Sequence, residues 1–65
     1  MHLTRLGGEC RNGTCPTIYS TDRGTYVIQG YAVSDEGALE QLDLPLGEAA
    51  VEIPRDLIAS IANDL

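Results

Sequence analysis

Apolar and polar residues change their spacing several times along this chain, and each change predicts an element. TIYS, at residues 17–20, is a short β-prone run. Residues 25–33, TYVIQGYAV, form a longer one, rich in β-branched residues and tyrosine. Between them TDRG supplies turn chemistry: Asp22 can bond backbone at the turn's start, and Gly24 can take a positive φ. The pair predicts a hairpin, with the run ending at Val33 as its central or longest strand. Alternation places Tyr26, Ile28, Gly30 and Ala32 on one face and Val27, Gln29, Tyr31 and Val33 on the other. Both faces are largely apolar, as expected of a strand covered on each side or of one that docks a partner. Gly30 predicts a bulge or the close approach of another backbone.

After Ser34 the spacing turns helical. Ser34 and Asp35 can cap a short helix from about residue 36 to residue 42, with acids at its positive end and Ala38, Leu39 and Leu42 as its apolar face. Gly37 within it and Pro45 beyond it keep it short. Residues 49–53 alternate again, with Val51 and Ile53 on one side and Glu52 on the other, and predict a further strand. Pro54 cannot serve a ladder but suits the first turn of a helix. There Leu57, Ile58, Ile61 and Leu65 fall on one stripe, with Asp56 in the first turn. GGECRNGT, at residues 7–14, is loop by composition, so residues 1–14 read as a loop-rich segment, with an additional strand open at residues 2–6. The expected fold is therefore α+β: a single domain over residues 1–65, in the order β-β-α-β-α. Its sheet has three strands, four with the additional one, is mainly antiparallel, and packs the C-terminal helix on one face.

A chain of 65 residues without Phe or Trp buries a thin core, about 60% of the surface its unfolded form exposes. Domains of this size often recruit a disulfide, a metal or a second subunit. Charge divides the chain more sharply than hydropathy does. Through Val33 it carries Glu9 and Asp22 against Arg5, Arg11 and Arg23, a balance of +1; the remainder carries eight acids against Arg55, a balance of −7, giving the net −6. Such a surface repels phosphates and anionic lipid and suits a basic protein partner, which argues against direct nucleic-acid or membrane binding. Residues 1–8 lack the apolar run of a secretory signal, and nothing approaches the roughly 18 apolar residues of a membrane span. A cytoplasmic location is expected, which makes the sequon at Asn12 a coincidence.

The chemistry-bearing residues are few. Cys10 and Cys15 enclose four residues and admit three readings: incidental thiols, a disulfide closing a small ring, or half of a zinc site. Zinc needs four ligands, and only His2 or a carboxylate such as Glu9 could add to the pair. The thiol reading is preferred, with both cysteines dispensable for folding. A general base must be held in place; His2, next to the first residue, is expected to be mobile, and no serine has a base nearby. No enzymatic role and no cofactor are expected. Tyr26 and Tyr31 lie on opposite strand faces, so one is a contact residue rather than core. Asp35, Glu36, Glu40 and Asp43 surround the apolar face of the first helix as a solvated, steering surface, with Glu48, Glu52 and Asp56 as a second acidic group.

CPTIYSTDRGTYVIQGY at residues 15–31, with AVEIP at residues 50–54, resembles a family of short acidic actinobacterial proteins of uncharacterised function. The likeness runs from about Leu6 to Leu57. In size and layout these are similar to small proteins encoded beside helix-turn-helix regulators, some tied to development and some to toxin–antitoxin-like pairs. The resemblance carries no catalytic or ligand residues. The charge asymmetry and the absence of site chemistry lead to a non-enzymatic regulatory module with a basic protein partner, set against acids that only keep the fold soluble; the resemblance implies a DNA-binding regulator as that partner. The alternatives are a zinc or redox module built on Cys10 and Cys15, or a homodimeric structural unit.

Overall fold

A computed structural model describes residues 1–8 and 15–62. The architecture is α+β, with five strands and two helices among the described residues: β1 (Leu3–Gly7), β2 (Thr17–Thr21), β3 (Tyr26–Gln29), β4 (Tyr31–Ala32), α1 (Glu36–Leu42), β5 (Val51–Glu52) and α2 (Arg55–Ile61). The first three make an antiparallel sheet in the order β1-β2-β3, and β4 pairs with β5 in a separate two-stranded ribbon. No described helix is long and apolar enough to cross a membrane.

The short TIYS run, not the longer one after it, is the central strand. It pairs β1 on one side and β3 on the other, with Ile18 opposite Ile28 and Tyr19 opposite Val27. This corrects the expectation that Tyr26 to Val33 is the central or longest strand: β3 has four residues, against five in β1 and in β2. That run is an edge, and it breaks at Gly30 into β3 and β4. The break has a packing cause: a Cβ on Gly30 would stand 2.8 Å from the Glu52 carbonyl oxygen and 2.7 Å from Ile53 Cγ2. The close backbone approach anticipated there is thus that of β5, the antiparallel partner of β4.

The core is built by α2 on one face of the sheet. Ile18, Leu57 and Ile61 are its buried side chains, with Leu6 and Ile53 packed at its margin. A bulge between Arg5 and Gly7 sets both Leu6 and Gly7 against Ile18. Gly7 is no loop residue: it ends β1, and a Cβ there would collide with Ile61 Cγ2. The loop-rich description of residues 1–14 therefore fails over residues 3–7, where the additional strand does form. On α2, Leu57 and Ile61 are buried as the stripe predicts, whereas Ile58 stays exposed; Leu65 lies outside the described residues. Ile28 is likewise 40% exposed rather than core.

Thr21 makes the hairpin turn more than Asp22 does. Its amide donates to the Thr25 carbonyl (2.9 Å), and its hydroxyl accepts from the amides of Arg23 and Thr25. Gly24 takes the expected positive φ, 74°. Asp22 instead fastens the start of the chain: its carboxylate accepts the His2 amide (3.1 Å), and its own amide donates to the His2 carbonyl (3.2 Å). The His2 backbone is held, contrary to the mobility expected of it.

Candidate functional site

The acidic half is presented mainly by α1. Asp35, in extended conformation, caps it, its Oδ2 accepting the Ala38 amide at 2.9 Å. Glu36 follows in the positive first turn. At the other end Asp43 adopts a left-handed conformation (φ 48°) and donates its amide to the Leu39 carbonyl at 3.0 Å, which stops the helix. Within these local signals α1 has the limits read from the sequence.

Its packing is another matter. No residue of α1 is buried; Leu39 and Leu42 are exposed, and only Ala38 is half-buried. The predicted apolar face exists but turns to solvent. Asp35, Glu36, Glu40 and Asp43 are all exposed beside it, so one short element carries an apolar stripe and four carboxylates together.

The second acidic group is divided by the fold. Glu52 sits in β5 opposite Tyr31 and lines, with Asp35, a groove of about 460 Å³ between α1 and the ribbon, lined also by Ala32, Val33, Ser34 and Ala38. Asp56 is elsewhere, at a smaller cleft of about 270 Å³ formed by Pro16, Pro54, Leu57 and Ser60 beside Cys15. Glu48 lies in the turn after Pro45, its amide bonded to the Pro45 carbonyl. Nothing local in the sequence signals the meeting of Asp35 and Glu52; it depends on the pairing of β4 with β5.

Tyr26 and Tyr31 are 50% and 66% exposed, so neither serves the core. Tyr19, half-buried in the central strand on the face opposite Ile18, donates its hydroxyl to Gln29 Oε1 (3.4 Å). Cys15 is disulfide-bonded, which overturns the preferred thiol reading for that residue and leaves it no thiolate for zinc. Cys10, the other cysteine, lies outside the described residues. Thr17, buried, donates its hydroxyl to the Cys15 carbonyl at 2.8 Å and so anchors Cys15 to the central strand. Among the described residues no three His, Cys, Asp or Glu side chains gather as a metal site.

No family model, curated protein sequence or solved structure matches this chain.

Proposed function

We propose that this protein is a non-enzymatic regulatory module that binds another protein, and that its acidic C-terminal half docks on a basic surface such as that of a DNA-binding regulator. The observation that carries this reading is the groove between α1 and the β4–β5 ribbon. Asp35 and Glu52 both line it, together with small residues, Ala32 and Ala38 among them. An arginine or lysine side chain has matching chemistry, an apolar stem for the small residues and a cationic head for the carboxylates. The exposed Leu39 and Leu42 extend the contact with apolar area. The likeness to small proteins encoded beside helix-turn-helix regulators points to the same kind of partner.

The test is affinity capture with the tagged protein and with a variant carrying Asp35→Asn, Glu36→Gln, Glu40→Gln and Asp43→Asn. A basic protein retained at low salt by the wild type, lost from the variant and released as salt rises is the expected result. Capture that ignores both salt and the four changes would refute the acidic contact.

A further inference from the structure

The two edges of the three-stranded sheet are finished differently. β1 carries Arg5 and a bulge at Leu6 and Gly7, the devices by which edge strands avoid pairing with other chains. β3 carries neither. From Gly24 to Ser34 the chain has no charged residue and no proline, and among the described residues no strand lies along the outer edge of β3.

The backbone there is aimed outwards. In an antiparallel pair, residues exchanging hydrogen bonds alternate with residues that do not. The bond from the Thr21 amide to the Thr25 carbonyl sets this phase, so Val27 and Gln29, opposite Tyr19 and Thr17, turn their peptide groups towards β2. The N–H and C=O groups of Tyr26 and Ile28 then point away from the sheet. Their side chains share the face of Ile18 yet remain 50% and 40% exposed, since α2 covers the sheet only further inwards.

We propose that a second copy of this chain occupies the edge, β3 pairing antiparallel with β3 across a two-fold axis at Val27, so that Tyr26 faces Ile28 of the partner subunit. Charge selects this occupant. Two chains of net charge −6 repel one another but can meet along residues 24–34, the longest uncharged stretch of the sequence, where a basic partner would find no carboxylate. The pairing would cover Tyr26 and Ile28, which are 50% and 40% exposed on this edge. Pairing would give one six-stranded sheet with both copies of α2 on the same face.

Sedimentation equilibrium over a range of concentrations, with hydrogen exchange on the same samples, tests this. The wild type should sediment at twice the chain mass, and the amides of Tyr26 and Ile28 should gain protection as concentration rises. The double variant Tyr26→Lys, Ile28→Lys sets like charges opposite one another and should raise the dissociation constant at least about 100-fold, while far-UV circular dichroism shows it folded. Leu3→Lys, on the opposite edge, should leave the dimer intact and serves as the control. A wild type that stays monomeric up to millimolar concentration would overturn the proposal, as would a dimer whose Tyr26 and Ile28 amides exchange freely. So would a folded double-lysine variant that still dimerises, which would locate the contact elsewhere. Raising salt leaves this contact in place or strengthens it by screening the repulsion between copies. Binding of a basic protein weakens under the same change, so the two proposals fail separately.

Discussion

The sheet that carries α2 and the lobe formed by α1 with the β4–β5 ribbon use the same apolar residue types to opposite ends. In the first, Ile18 and Ile61 are 1% exposed and Gly7 lets helix and strand approach within the reach of a methyl group. In the second, Leu39, Leu42 and Val51 are all exposed, and α1 is defined by its two caps rather than by any buried face. The core and the acidic surface are therefore separated in space within 65 residues. The body supplies the folding free energy, and the lobe spends apolar and acidic groups on its surface. A short helix with no buried residue is marginal alone. Its retention here makes sense if its role lies in contact with a partner.

The largest effect should come from breaking the body. Ile18→Ala removes a fully buried side chain from the central strand, and thermal or denaturant unfolding should show a loss of about 2–5 kcal/mol, enough to unfold a domain this small. Ile28→Ala, directly opposite in the ladder but 40% exposed, should cost the monomer under half as much. Equal costs would show that the sheet is covered more evenly than its geometry indicates.

Gly30→Ala tests the joint between the regions. The added methyl meets the Glu52 carbonyl 2.8 Å away, and backbone cannot yield as a side-chain tip does. A cost of about 1–3 kcal/mol is expected. It should fall mainly on the ribbon: the Val33 amide, bonded to the Ala50 carbonyl at 3.1 Å, should lose hydrogen-exchange protection, while the amides pairing β2 with β3 keep theirs. Uniform loss would mean that ribbon and sheet unfold as one unit.

Asp35→Ala acts on the lobe alone. Removing the carboxylate that accepts the Ala38 amide should cost about 0.5–2 kcal/mol of local helix stability. Because α1 buries nothing, the main unfolding transition should hardly move. The change should appear as fraying of α1 in amide exchange and a small loss of helical circular dichroism. A large fall in melting temperature would show that α1 supports the body after all.

What was legible in the sequence follows the same division between local and non-local causes. The limits of α1 could be read because Asp35 and Pro45 act within a turn of their own positions. The turn at Gly24 and the stripe bearing Leu57 and Ile61 were readable on the same grounds. Burial was not, because Ile18 and Ile28 are chemically identical and only register and the placement of α2 distinguish them. An apolar run on both faces of residues 25–33 suggested a covered central strand. In the fold the same pattern belongs to an exposed edge, and the shorter TIYS run is central because β1 pairs with its other side. That pairing rests on β1, a five-residue strand whose last residue, Gly7, resembles the start of a loop until Ile61 is seen above it. The groove lined by Asp35 and Glu52 was equally hidden, because it exists only once β5 pairs with β4.

The smallest effect on stability should accompany the change of greatest consequence for binding. Asp35→Asn, Glu36→Gln, Glu40→Gln and Asp43→Asn together remove four negative charges while sparing the architecture. Asparagine keeps an oxygen for the Ala38 amide at position 35 and tolerates the left-handed conformation at position 43. Exposed charges contribute under about 1 kcal/mol each, and here they repel one another, so the melting temperature should hold or rise slightly. Association with a basic partner should slow, and its rate should depend less on salt, because steering depends on the summed field of the lobe. Adding Glu52→Gln should slow it further than adding Asp56→Asn, since Glu52 shares the groove with Asp35 and Asp56 lies at a separate cleft. If the two additions act equally, net charge alone governs the encounter and the groove has no part in it. If only the Glu52 change matters, the contact is located at the crossing of α1 and the ribbon.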